Sequence, residues 1–137
     1  MTEPTGRDRR LRPRFNAALR CTLRLPPEDR DILFPHEQLA CLTRDLSESG
    51  IGLVAPSIYL GYTCVVDEGR ALSLSLELPG GPVVTLKTES AHYLRLDRST
   101  PEATYLIGLR ITEPAGEDLQ RFTAYLSTLE NSEQSGS

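Results

Sequence analysis

Ala71–Leu78 alternates without a break, with Leu72, Leu74, Leu76 and Leu78 on one face and Ser73, Ser75 and Glu77 on the other. A period of two belongs to a half-buried strand, because successive side chains of extended backbone point to opposite sides. Pro79-Gly80-Gly81-Pro82 then turns the chain back. Val83–Leu96 returns as a second long antiparallel strand, with a bulge or bend expected near Ser90-Ala91. The same alternation recurs in Leu19–Leu25, where Leu19, Cys21, Leu23 and Leu25 oppose Arg20, Thr22 and Arg24. It recurs again in Gln38–Arg44, where Leu39, Cys41 and Thr43 oppose Ala40 and Leu42. Shorter strands are expected at Gly52–Ala55 and Tyr105–Ile111. About six antiparallel strands joined by Pro/Gly turns make an all-β chain, folded as a small closed barrel or a sandwich.

One helix completes the pattern. In Glu117–Leu129, the residues Leu119, Phe122, Thr123, Leu126 and Leu129 fall at spacings near three, four and seven, and Glu117 and Asp118 occupy the acidic first turn. Ser57–Glu68 is ambiguous: Tyr59, Leu60 and Tyr62 are candidates to cap one end of the barrel, and Thr63–Val66 has strand composition. Ile32, Leu33 and Phe34 are expected to tuck back onto the core from a charged loop. The organisation is then a disordered start at 1–8, one domain at 9–130 and a flexible tail at 131–137, with a single core that 137 residues are long enough to bury.

Several classes of function are disfavoured. No apolar run approaches the roughly 18 residues of a membrane span, and the start lacks the apolar stretch of a secretory signal, so a cytoplasmic protein is expected. Cys21, Cys41 and Cys64 have no metal-site spacing and read as buried or half-buried thiols in strands. His36 and His92 lie far apart and read as surface or half-buried residues. No hydrolase, metalloprotease or phosphate-loop motif occurs, so a binding module is expected rather than an enzyme, with no cofactor and no metal.

Charge narrows the choice further. The net charge is −4, yet fourteen of the fifteen basic residues are arginine, and seven of them fall between Arg7 and Arg24. An acidic protein with one basic arm suits a compact anion better than a nucleic-acid polymer. Arginine rather than lysine points to planar, bidentate and stacking contacts. The second polar concentration is the corner Asp45-Leu46-Ser47-Glu48-Ser49-Gly50 between two strands, where Gly50 is expected to permit a turn closed to other residues.

Arg10 and Arg14 are spaced as RxxxR ahead of the first strand, and the corner spells DxSxxG between the second and third strands. With the strand series, Gly108–Ile111 and the final helix, this order resembles the PilZ domain, a bacterial receptor module for cyclic di-GMP, over Arg9 to Leu129. The resemblance implies a six-stranded antiparallel β-barrel of the PilZ type with one C-terminal helix. It further implies that cyclic di-GMP is bound by Arg9, Arg10, Arg14, Asp45, Ser47 and Gly50. Arg10 and Arg14 meet guanine edges or phosphates, Asp45 accepts from the guanine N1–H and N2–H₂, and Ser47 offers its hydroxyl. Gly50 keeps a Cβ away from ligand and arm, and Arg9 serves a second nucleotide stacked on the first, giving an intercalated dimer. Binding would clamp a mobile arm over the barrel and signal to a protein effector, from a monomer or weak homodimer. The competing readings are a ligand-independent adaptor on the same fold and an arginine-arm nucleic-acid binder. Arg20, Arg24 and Arg44 read as solvent-facing strand residues, Arg44 standing beside the corner.

Overall fold

The computed structural model describes residues 14–30, 33, 37–96, 104–112 and 116–135. Nine strands and one long helix follow in chain order: β1 Phe15–Asn16, β2 Arg20–Arg24, β3 Leu39–Leu46, β4 Gly50–Ala55, β5 Tyr59–Leu60, β6 Thr63–Cys64, β7 Ala71–Glu77, β8 Val83–Arg95, β9 Tyr105–Ile111 and α1 Glu117–Ser135. Six of them, in the order β3-β2-β7-β8-β9-β4, form one antiparallel sheet that closes on itself because β4 also pairs with β3. A closed barrel leaves no unpaired edge within the ring. The short β1 extends the β2 side by pairing with the end of β3. The expected six-stranded barrel with a C-terminal helix is therefore the observed architecture.

The alternating residues do what the period requires. Leu19, Cys21, Leu23, Leu25, Leu72, Leu74, Leu76 and Leu78 are all buried in the barrel core, and Leu23, Leu74 and Leu76 are wholly inaccessible. The β7–β8 hairpin turns through Gly80 and Gly81, both at positive φ (95° and 114°), where a Cβ would be strained. The turn is tied by Leu78 N donating to Pro82 O at 2.8 Å and Gly81 N donating to Leu78 O at 3.1 Å.

Two β-bulges break the parity of the ladders. Within β3, the pairing with β4 shifts by one residue between Thr43 and Asp45. Within β8, the pairing with β9 shifts between Ser90 and His92. The extra residues are Arg44, which is exposed, and Ala91. A bulge moves every later side chain to the opposite face. Thr43 therefore points inward, Asp45 points outward and Leu46 returns to the core, wholly buried.

Thr43 also joins β1 to β2. Its Oγ1 accepts from Leu19 N at 2.8 Å and donates to Ala17 O, while Thr43 N donates to Leu19 O at 2.9 Å. One hydroxyl thus satisfies a donor and an acceptor where the chain leaves the ladder. Replacing Thr43 by valine keeps the shape and strands both groups, so a loss of about 1–3 kcal/mol is expected from a urea denaturation curve.

Helix α1 lies against β8 and β1. Phe122 and Leu126 enter the core, with Leu119, Tyr125 and Leu129 half-buried behind them. Asp118 Oδ2 accepts from Thr85 N at 2.8 Å, satisfying a strand donor beyond the end of the β9 pairing. The helix runs on to Ser135, past the Leu129 that its apolar spacing suggests, because the residues that follow include Glu and Gln, good helix formers, with no Pro or Gly before Gly136.

Two other expectations meet the structure differently. Residues 57–68 form a small β5–β6 hairpin in which Leu60, Val65 and Val66 are buried, whereas Tyr59 and Tyr62 face solvent. Leu33 is 78% exposed and does not tuck onto the core. Ile32, Phe34, His36 and the connection at 97–102 lie outside the described residues.

Candidate functional site

Asp45 is a strand residue and not part of the turn, which is shorter than the motif suggests. β3 runs to Leu46 and β4 begins at Gly50, so Ser47–Ser49 alone make the connection. The bulge is what brings the Asp45 side chain to the outer surface. There its Oδ1 accepts from Gly52 N at 3.1 Å and from Arg14 Nη1 at 2.7 Å. The carboxylate is about a quarter exposed and the Arg14 side chain about half exposed. Oδ2 has no hydrogen-bond partner among the described residues, and it lies 3.5 Å from where a Cβ on Gly52 would stand.

Ser47 is the opposite kind of residue. It is 2% exposed, and its hydroxyl donates to Gly50 O and accepts from Gly50 N, both at 3.0 Å. Ser47 N donates to Gly50 O at 2.9 Å. The serine is spent on closing the turn that separates β3 from β4, and its hydroxyl faces the protein.

Gly50 is required for closeness and not for turning. It is absent from the positive-φ glycines. A Cβ there would stand 2.8 Å from the backbone oxygen of Leu109 in β9 and 3.5 Å from Arg14 Nη2. The expectation of a special turn conformation at Gly50 is thus corrected: the glycine lets β9 and the arginine approach β4. Gly52 has the same character, since its Cβ would lie 2.7 Å from Asp45 Oδ1.

These residues form ordered rows across the outside of the barrel. Arg14 reaches Gly50, which pairs with Arg110 of β9, which pairs with Glu89 of β8. In the adjacent row Asp45 pairs with Gly52, Gly52 with Gly108 and Gly108 with His92. The result is a platform built on three strand glycines, with the Asp45 carboxylate lying over Gly52, the His92 imidazole over Gly108, and an Arg–carboxylate pair on the side toward β1. Gly52 and Gly108 were the signal available in the sequence, since glycine inside a strand marks close approach of another group.

Arg9 and Arg10 lie outside the described residues. Arg14, Asp45, Ser47 and Gly50 are brought together at one end of β3 and β4. Arg20 and Arg44 are exposed and Arg24 is half-buried. An open groove of about 810 Å³ lies elsewhere, over Cys41, Leu42 and Val54, and contains none of the motif residues.

The cysteines are free: Cys21 and Cys41 face each other across β2 and β3, and Cys64 is half-buried in β6. A hydrogen bond to Cys41, with burial adding to it, raises the Cys21 pKa above the usual thiol range. Among the described residues no cluster of three metal-ligating side chains occurs, and no helix is long and apolar enough to cross a membrane.

The barrel and its helix have close counterparts among solved structures. The PilZ domain of YcgR from Escherichia coli, described with c-di-GMP, superposes with a TM-score of 0.66 at 13% identity, covering 93% of this chain and 96% of that one. MrkH of K. pneumonia in its apo state gives 0.69 at 17% identity, covering 100% of this chain and 55% of that one. The Bacillus subtilis inhibitor of motility MotI/DgrA gives 0.62 at 19% identity, covering 93% and 52%. The chain thus spans about half the length of the MrkH and MotI/DgrA chains. No curated protein sequence matches at a significant level. The family model described as PilZ domain matches residues 8–127.

Proposed function

Since the chain belongs to the PilZ domain family, we propose that it is a receptor for cyclic di-GMP and that the platform beside β1 is where the nucleotide binds. The single observation that carries this reading is the Arg14–Asp45 pair, held at 2.7 Å beside the strand glycines Gly50 and Gly52. The described c-di-GMP complex of the similar E. coli domain supports the choice of ligand.

Each residue then has a distinct part. Asp45 is fixed by Gly52 N through Oδ1, and Oδ2 accepts from the N1–H and N2–H₂ edge of a guanine. Adenine lacks that pair of donors, so the carboxylate selects the base. Arg14 turns from Asp45 toward a guanine O6/N7 edge or a phosphodiester, either of which a guanidinium meets with two hydrogen bonds. Gly50 and Gly52 let the ligand approach the strand backbone. Ser47 acts at one remove, holding the turn that fixes Asp45 and Gly50 in register. Arg9 and Arg10 complete the cation set from the arm, and Arg9 holds a second nucleotide intercalated with the first.

Output follows from ordering of the arm. The segment before Arg14 carries several arginines in close succession. A doubly charged anion relieves their mutual repulsion and draws them across the platform, an ordering switch whose new surface is read by a protein effector. The chain is a receptor and adaptor on this reading, with no catalytic step.

Calorimetric titration with cyclic di-GMP, with cyclic di-AMP and GTP as controls, tests the proposal. Guanine-specific binding is expected, weakened by roughly tenfold or more in Arg14→Ala at unchanged fold. Absence of heat and of any thermal shift with cyclic di-GMP would remove the receptor reading and leave the ligand-independent adaptor.

A further inference from the structure

The platform has a second side. Across the two central glycines from the Arg14–Asp45 pair stands another Arg–carboxylate pair: Arg110 donates to Glu89 Oε1 through Nε at 2.9 Å and also through Nη2. The Arg110 side chain is half exposed. It occupies the position opposite Gly50, so Arg14 and Arg110 flank one residue that has no side chain. In the neighbouring row His92 is exposed, and its imidazole lies where a Cβ on Gly108 would have to be.

The route by which His92 reaches this surface is the same as that of Asp45. Thr88 and Ser90 point inward, so unbroken alternation would send His92 inward as well. The bulge between Ser90 and His92 adds Ala91 and turns His92 out, opposite Gly108. One bulge in β3 and one in β8 therefore aim two hydrogen-bonding side chains onto a single row, Asp45-Gly52-Gly108-His92. The ends of that row are three strand spacings apart, about 14 Å. Bulges recur at binding sites because they re-aim one side chain and leave the remaining pairs in place.

We propose that Arg110 and His92 are the second half of the ligand site, Arg110 meeting a phosphodiester and His92 presenting its ring face to a base. This rests on the receptor reading above and extends the site from β1, β3 and β4 to β9 and β8. The chemistry suits the ligand's own symmetry, because cyclic di-GMP carries two bases and two phosphodiesters and one Arg–carboxylate corner serves only part of it. Glu89 engages the Arg110 guanidinium from the β8 side, and an anion competes for the same fork. An imidazole seated over Gly108 is positioned before ligand arrives, and flat rings on such surfaces stack on bases with little sequence preference.

Titration of cyclic di-GMP into the full chain and into Arg110→Ala, His92→Ala and His92→Phe tests this, with Arg121→Ala on the outer helix as a charge control and circular dichroism as the folding check. Each alanine variant is expected to weaken binding by roughly tenfold, with phenylalanine retaining most of the affinity because it keeps a flat face. In the wild-type chain, NMR signals of the His92 ring should move on saturation with ligand, assigned against His36→Gln. If both alanine variants bind as the wild type does, or if the His92 signals stay still while Arg14→Ala has lost affinity, the second half of the site is overturned and the receptor reading stands. A wild-type chain that binds no cyclic di-GMP removes both.

Discussion

Asp45→Ala is expected to reduce affinity for cyclic di-GMP by roughly 5- to 100-fold, the range that a bidentate base contact carries. The carboxylate is an acceptor at the β1 side of the platform whose orientation is set by the backbone, through Gly52 N. Removing it takes away the guanine acceptor and also releases Arg14 from its resting position. The stability of the fold should hardly change, since an ion pair with one half-exposed partner contributes at most about 1 kcal/mol. Asp45→Asn separates the two parts: it keeps an oxygen for Gly52 N and loses the charge and one acceptor. Calorimetry and a thermal melt on both variants give the answer. Unchanged affinity in Asp45→Ala would show that base selection lies elsewhere.

Phe122→Ala carries the largest expected effect on stability. The ring is wholly buried between α1 and the barrel, and it is the largest such side chain in the core. Truncating a buried phenylalanine removes its transfer free energy and leaves a cavity, typically about 3–5 kcal/mol in all. Against a total stability of order 5–15 kcal/mol that is a large share. Urea denaturation should show the midpoint falling accordingly. Leu119→Ala, at a half-buried position on the same helix, should cost less. A loss below about 1 kcal/mol for Phe122→Ala would mean that the barrel holds together without the helix, whose other anchors are Leu126 and the Asp118–Thr85 contact.

The barrel was legible because its information is local. Leu72, Leu74, Leu76 and Leu78 lie on the face their period assigns, and the Pro/Gly turn falls where it reads. The two arginine and aspartate motifs were legible by type and spacing, and Arg14 and Asp45 do meet across 31 residues of chain. What escaped was the direction of side chains near irregular backbone. Straight alternation from Thr43 points Asp45 into the core, and only the ladder with β4 reveals the extra residue. Gly50 was read as a turn glycine because its neighbours are polar, whereas its need comes from Leu109 O, a group 59 residues later in the chain. Ser47, which the resemblance counts among the ligand contacts, is 2% exposed with its hydroxyl bonded to Gly50, an environment that its place in a polar corner does not announce. His92 and Arg110 drew no special reading, since the register that sets them beside Gly108 and Gly50 is a property of β8 and β9 together.

The bulge in β3 has a consequence for sequence variation. Outward Asp45 and inward Leu46 require that Arg44 be accommodated as the extra residue of a bulge, whatever its own side chain does. Substituting Arg44 should therefore be tolerated, and so should its deletion, which leaves plain alternation with Thr43 inward, Asp45 outward and Leu46 inward. Among chains of this kind, the third strand should vary in length by one residue just ahead of the aspartate without losing the acidic group on the barrel wall.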